Sequence, residues 1–189
     1  MSDTGWLQFT SCDDGLGGDA IWHNPTHAII NTSPFSYAST TTAEGYVTNF
    51  LKLYNIAGLS IPAGSFIMGI ELRFYRKDYE GHINDNVVQL HKSGALAGDN
   101  KASIVDWPTS EAWSGTYGGP TDLWGTSYGY ADVNDANFGV KIQAIDSVAG
   151  STHSRIHQVD IKIYYSQKKV LGALVSKVMG VTPAKVLGV

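Results

Sequence analysis

The sequence predicts an all-β protein, built as a jelly-roll-like antiparallel β-sandwich. Three observations lead to this prediction: residues 66–76 alternate between apolar and polar side chains, several shorter segments do the same, and glycine and aromatic residues are abundant. The 189 residues include 21 glycines, 10 tyrosines and 5 tryptophans, and only 16% are charged. Because glycines supply turns and aromatic side chains suit strands, this composition is typical of all-β proteins.

The segment 66–76 is expected to be the central strand. Its first five even-numbered residues have apolar side chains, whereas Glu71 and Arg73 occupy odd-numbered positions. This period of two is that of a strand with one face in the core and the other in water. The five apolar residues are Phe66, Met68, Ile70, Leu72 and Phe74. Burying each side chain contributes roughly 1.5–3 kcal/mol, so a slip of one residue, which would bury Glu71 and Arg73, is strongly disfavoured.

The remaining strands are predicted where shorter segments alternate in the same way. They are expected at residues 4–10, 45–54, 86–92, 138–144 and 159–165. Residues 12–19 and 31–42 are expected to be loops, because they are polar and have little periodicity. No segment before residue 167 has a convincing helical period, and the strands should number six to eight. Their unequal connections favour a jelly roll over a simple meander.

Residues 168–189 differ from the sandwich domain predicted for residues 1–167. The pattern Lys-Val-x-Gly recurs three times here at a spacing of eight residues. The repeated residues are Lys169, Val170 and Leu171; Lys177, Val178 and Met179; and Lys185, Val186 and Leu187. Such a segment cannot bury its apolar side chains alone, so we expect it to anchor the domain to an assembly or to other copies of itself. The alternative is a sticky tail without fixed structure.

The composition also excludes several classes of function. A net charge of −4 and a pI near 5.8 argue against nucleic-acid binding, which normally requires a basic surface. The single cysteine, Cys12, excludes an internal disulfide and a cysteine-based zinc site. The N-terminus lacks the basic and apolar regions of a signal peptide, and no segment has the length of a transmembrane helix. We therefore expect a soluble protein made in the cytoplasm, without a membrane partner.

Candidate metal and catalytic residues do not fall into recognised motifs. His23 and His27 are four residues apart, but Pro25 lies between them and no glutamate follows His23. Acidic residues within 13–19 and 132–135 offer oxygen ligands for calcium, but turn formation explains them better because their spacing is not that of a calcium-binding loop. The spacing Gly-x-Ser-x-Gly occurs at residues 125–129 (GTSYG), but no predicted strand leads into it and no predicted helix follows it, as a nucleophile elbow requires. The sequence therefore predicts no cofactor, no metal site and no enzymatic activity.

The segment 106–130 holds the candidate ligand-binding residues. Trp113, Tyr117 and Tyr128 could form a platform on which sugar rings stack, since aromatic faces bind the apolar faces of sugars. The alternative for these three residues is that they cover one end of the sandwich. Trp107 and Trp124 could also cover that end by filling the core beneath glycine-rich turns, and we expect this role for Trp124.

Three stretches of the sequence resemble a known family. They are Thr121-Asp122-Leu123-Trp124-Gly125, residues 131–140 (ADVNDANFGV) and residues 159–165 (VDIKIYY). Together they are similar to the single jelly-roll-type domains of structural proteins from tailed bacteriophages and prophages. Residues 61–70 and the repeated tail also suit that pattern. The resemblance covers roughly residues 45–189, and it supplies no catalytic residues.

The resemblance implies a non-enzymatic virion protein, either a capsid decoration or a tail or fibre component, held in place by residues 168–189. Its partners would be other virion proteins. Phage appendages are symmetric, so a homotrimer or a higher copy number is expected. The missing secretion signal fits release by lysis. The alternative is a module at a fibre tip that binds a host-surface glycan or receptor through Trp113, Tyr117 and Tyr128.

Overall fold

The computed structural model describes residues 1–29, 38–148 and 151–167, so the predicted anchoring tail lies outside the described residues. With 51% strand and 6% helix, the chain has the predicted all-β, sandwich-like fold. The strands are β1 (Ser2–Asp3), β2 (Leu7–Asp14), β3 (Ala38–Ala43), β4 (Leu51–Ile56), β5 (Phe66–Asp78), β6 (Ile83–Lys92), β7 (Ala95–Ala97), β8 (Ala112–Trp113), β9 (Tyr117–Gly119), β10 (Gly139–Asp146) and β11 (Ser151–Ser166). The helical elements are a 3₁₀ helix (Pro25–Ile29) and one turn of α-helix, α1 (Tyr130–Val133).

The strands form one curled sheet whose two halves face each other. The path of neighbouring strands is β7-β6-β10-β4-β2-β11-β5-β8, and β1 and β3 pair with β11 while β9 pairs with β5. Strand β2 belongs to both halves, because Leu7 and Gln8 pair with β11 whereas the residues from Phe9 onward pair with β4. The strand that changes sheets makes the corner of the sandwich.

Strand β5 is the central strand that the sequence predicts. It pairs with β11 along nearly its whole length, with Phe74 opposite Val159 and Ile70 opposite Ile163. The side chains of Ile70, Leu72 and Phe74 are fully buried between the two halves of the sheet. This part of the predicted alternation is confirmed.

The predicted burial is wrong for the beginning of β5. Phe66 and Met68 are 57% and 37% exposed, whereas Ile67 between them is buried. The cause is a bulge: the pairing with β11 skips one residue, Met68, between Ile67 and Gly69. An extra residue in a strand reverses which side chains face inward on the two sides of the bulge.

Gly69 is required at this bulge. A Cβ atom at this position would overlap the backbone of Gly119, the last residue of the neighbouring edge strand β9, and of Pro120, which follows it. The close approach of the two backbones therefore needs a residue without a side chain.

The interior is a continuous apolar core to which both halves of the sheet contribute. Trp124 is buried in it, as predicted, and Trp107 is buried as well. The indole Nε1 of Trp124 donates a hydrogen bond to the carbonyl oxygen of Ile70 at 2.9 Å, which satisfies its polar atom inside the core. Other large buried side chains are Phe9, Leu51, Leu53, Ile83, Leu90, Phe138 and Ile142.

Several strand boundaries differ from the predicted ones. Strand β2 continues to Asp14, into the segment expected to be a loop, and β3 begins inside the polar segment 31–42. Strand β11 begins at Ser151, eight residues before the predicted start at Val159. The described residues contain eleven strands, more than the predicted six to eight; four of them, β1, β7, β8 and β9, have only two or three residues and are too short to show an alternation.

Candidate functional site

A buried polar cluster lies at the open edge of the sandwich beside β9. Arg76 occupies an inward-facing position of β5, and its side chain is only 7% exposed. Its Nη1 atom lies 2.6 Å from Oδ1 of Asp85, a fully buried carboxylate on β6. The same Nη1 donates to the hydroxyl of Tyr117 at 3.0 Å. A buried arginine is stable in this position because a carboxylate of opposite charge lies in direct contact with it.

Asp85 is the centre of this cluster. Its Oδ1 atom accepts a second hydrogen bond from the indole of Trp107 at 2.8 Å, and its Oδ2 atom accepts from the hydroxyl of Tyr117 at 2.7 Å and from the amide of Ser103 at 3.0 Å. Burial is the main cause of the raised pKa of the Tyr117 hydroxyl, and the charge of Asp85 raises it further. Tyr117 therefore remains neutral and can donate its hydrogen bond. Four donors in all fix the carboxylate and, through it, the guanidinium of Arg76.

A cavity of about 450 Å³ opens over this cluster, and we call it the Arg76 cavity. It is lined by Arg76, Lys101, Ser103, Val105, Gly115, Thr116, Tyr117 and Gly118. Among the described residues, Nη1 alone of the Arg76 nitrogens has hydrogen-bond partners, and the buried Nε atom has none. Lys101 places a second cation at the cavity, and its Nζ atom lies 2.8 Å from Oδ2 of Asp122.

The opposite face of β5 carries a second cluster, the outer aromatic face, defined by Trp6, Arg73 and Trp113. The guanidinium carbon of Arg73 lies 4.3 Å from the ring centre of Trp6 and 4.2 Å from that of Trp113. Arg73 also forms an ion pair of 2.9 Å with Asp160, its cross-strand neighbour on β11. Two aromatic rings and one carboxylate thus hold this arginine, a favourable arrangement for a planar cation.

The next cross-strand pair extends this face. Lys162 of β11 lies 3.0 Å from the carboxylate of Glu71, which also accepts a hydrogen bond from the hydroxyl of Tyr164 at 3.0 Å. The hydrogen bond to the Tyr164 hydroxyl is the main cause of the raised pKa of Lys162, and the carboxylate of Glu71 raises it further. This lysine therefore remains charged. The outer side of β5 and β11 therefore carries alternating opposite charges, which fix the pairing of the two strands.

A third feature is an apolar groove at the beginning of β5, the Phe66 groove, with a volume of about 500 Å³. It is lined by Gly64, Ser65, Phe66, Ile67, Leu123, Ser127, Tyr128, Gly129 and Tyr130. Ser166, the last residue of β11, pairs with Phe66, so the chain leaves the sandwich beside this groove. Exposed Phe66 and Tyr130 leave apolar surface at the site where the chain leaves the domain.

The structure does not bring the three predicted platform residues together. Trp113 is 40% exposed on the outer aromatic face, and Arg73 already covers one side of its ring. Tyr117 and Tyr128 are buried, with Tyr117 bonded to Asp85 and Tyr128 packed edge-on against Phe138. A shared exposed platform is therefore absent, because two of its members contribute to the core instead.

Sequence reasoning missed Arg76 and Asp85. Arg76 ends the predicted central strand at an inward-facing, even-numbered position, and this misplaced charge was the one available signal. Asp85 lies in the part of β6 that precedes the predicted strand, so its burial could not be expected.

Three further observations concern metal ligands, membrane-spanning helices and the single thiol. No three His, Cys, Asp or Glu side chains gather into a metal-binding group in the described part of the chain. Within that same part, no helix is long and apolar enough to cross a membrane. Cys12 is buried, and burial raises the pKa of its thiol, so the reactive thiolate form is disfavoured.

In comparisons with known proteins, no family model, curated protein or solved structure matches the chain.

Proposed function

We propose that the chain is a non-enzymatic structural protein of a tailed-phage virion, a capsid decoration or a tail or fibre component. In this proposal residues 1–167 are a self-sufficient domain and residues 168–189 attach it to the particle or to other copies. The family resemblance of the sequence supports the phage context. A homotrimer or a higher copy number fits the symmetry of such particles.

One observation supports the assembly role: β11, the last strand of the described residues, ends before the repeated tail begins. Strand β11 ends at Ser166 after pairing with β5 on one side and with β1, β2 and β3 on the other. The described strands therefore pair with one another, and the proposal assigns the Lys-Val-x-Gly units to attachment. A separate segment with regularly spaced apolar pairs suits attachment to a partner.

The Phe66 groove supports this role by its position. It provides apolar surface beside Ser166, where the tail leaves the domain. Exposed apolar surface of this kind is typical of contact sites between subunits.

The test compares the full chain with a chain ending at Gln167 by analytical ultracentrifugation and by incorporation into particles. We expect the full chain to self-associate or to enter particles and the shortened chain to do neither. A matched variant replaces Val170, Val178 and Val186 by serine and keeps the length. If the shortened chain assembles like the full chain, the tail has no anchoring role.

A second candidate function is the recognition of a host-surface glycan or receptor, favoured by the outer aromatic face. Trp113 is 40% exposed there and lies beside Tyr75, with ring centres 5.3 Å apart. A glycan array screened with the wild type and with Trp113→Ala tests this function. We expect binding that Trp113→Ala abolishes and that Tyr46→Ala, a variant of an exposed tyrosine elsewhere, preserves. Absence of binding to any glycan would leave the structural role alone.

A further inference from the structure

The Arg76 cavity is separate from the outer aromatic face, because Arg76 and Arg73 project from opposite sides of β5. From its contacts we infer that the Arg76 cavity binds a small carboxylate ligand with neighbouring hydroxyl groups, the chemistry of an acidic sugar. The inference is independent of the assembly role and of glycan binding at Trp113.

The guanidinium of Arg76 is fixed before any ligand arrives. Nη1 is bound to Asp85 and Tyr117, and Asp85 is itself fixed by Trp107 and the amide of Ser103. The Nη2 atom has no partner among the described residues and belongs to a side chain that lines the cavity. A pre-oriented arginine with a donor unused is suited to a carboxylate, because little conformational entropy is lost on binding.

The charge balance favours a carboxylate over a phosphate. Each cation at the cavity already has an acidic neighbour: Asp85 lies 2.6 Å from Arg76, while Asp122 lies 2.8 Å and Asp99 lies 4.0 Å from Lys101. Lys101 keeps Asp122 ionised, since its hydrogen bond is the main cause of the lowered pKa of that carboxyl group. The formal charges of these five groups sum to −1, so the double charge of a phosphate is repelled more strongly than the single charge of a carboxylate.

The rest of the lining suits the hydroxyl groups of a sugar. Thr116 and Ser103 contribute hydroxyls, and no side chain covers the backbone of Gly115, where a Cβ would meet only open space. Val105, which is exposed, adds apolar surface at the rim for the C–H face of a ring. A volume of about 450 Å³ is within the range of small-molecule sites and accommodates one or two sugar rings.

The test measures binding of sodium D-glucuronate, D-glucose and inorganic phosphate by calorimetry and by ligand-observed NMR, using the full chain. We expect glucuronate to bind at least about tenfold more tightly than glucose or phosphate, a difference of about 1.4 kcal/mol. Gly115→Trp should abolish binding, because a Cβ at this residue meets only open space and an indole would fill the cavity mouth. Ile104→Trp is the control, since Ile104 is exposed and does not line the cavity.

Arg76→Lys separates recognition from folding. A lysine keeps the charge next to Asp85 but lacks the planar fork, so we expect a melting transition to persist while glucuronate affinity falls at least about tenfold. Equal binding of glucose and glucuronate would overturn the carboxylate assignment, as would tighter binding of phosphate. Failure of glucuronate to bind in the millimolar range, or full binding by Gly115→Trp, would overturn the site itself.

Discussion

At the scale of single residues, the two arginines of β5 differ in what holds them. Arg76 faces the interior and is fixed by one fully buried carboxylate, whereas Arg73 faces outward between two tryptophans. The partner of Arg73, Asp160, has a side chain only 3% exposed. Burying a carboxylate is costly unless a cation remains beside it, so even the outward-facing arginine has a structural role.

The first prediction concerns Arg73→Ser. From the sequence alone this change is expected to be tolerated within about 0.5 kcal/mol, because an outward-facing side chain on a strand is replaceable. The ion pair with Asp160 changes this expectation: the variant leaves a buried carboxylate without its cation and should lose about 1–3 kcal/mol. Urea unfolding measures the loss. Lys77→Ser, on the same face, is the control and should change stability by less than about 0.5 kcal/mol.

The second prediction concerns pH. His91 is fully buried, its Nε2 lies 3.1 Å from the carbonyl oxygen of Leu53, and burial lowers its pKa from 6.5 to about 4. Because the unfolded chain binds the proton more readily, His91 contributes its full stabilisation above pH 6.5 and loses it as the pH falls towards 4. Between pH 7 and pH 5 this loss amounts to roughly 2 kcal/mol.

Chemical unfolding at the two pH values measures this loss. In His91→Gln the loss between pH 7 and pH 5 should be smaller, because glutamine does not titrate. An equal loss in the wild type and in His91→Gln would show that other groups cause the pH dependence.

At the scale of elements, β5 shows how one residue changes the role of a strand. The bulge at Met68 directs Ile67 inward and leaves Phe66 and Met68 outside, beside the groove where the chain leaves the domain. The same strand therefore supplies core residues along most of its length and exposed apolar surface at its beginning.

The third prediction compares two substitutions to aspartate on the even-numbered positions of β5. Leu72→Asp buries an unpaired charge in the core and should destabilise the protein by more than about 4 kcal/mol. Met68 is the bulged residue and its side chain is partly exposed, so Met68→Asp should cost about 1 kcal/mol or less. Thermal unfolding followed by circular dichroism measures both. Similar losses for the two variants would contradict the bulge.

At the scale of the whole molecule, the sandwich depends on residues far apart in the sequence. Strand β2, near the N-terminus, pairs with β11, whose last residue is Ser166, and together they join the two halves of the sheet. Every strand in the described part of the chain thus lies before the repeated segment.

The fourth prediction follows from this closure. A chain ending at Gln167 should retain its fold and melt within about 2–4 °C of the full chain, because it loses no described strand. A chain ending at Gln158 is the contrasting variant: it lacks the half of β11 that holds Val159, Ile161 and Ile163 and should not fold. Differential scanning calorimetry distinguishes the two. A large loss of stability on removing residues 168–189 would show that the tail belongs to the core.

The sequence by itself determined the all-β class, the central strand and the burial of Trp124, because alternation and turn residues are local signals. It could not show the reversal of inward and outward side chains at Met68. It also could not show the first half of β11, where Ser154 and His157 are buried although the surrounding sequence is mostly polar. Nor could it show that Arg76, Asp85 and Tyr117 meet around a cavity. These features depend on pairing between distant strands: a bulge is defined only against its partner, and a buried charge is stable only where tertiary contacts bring its counterion.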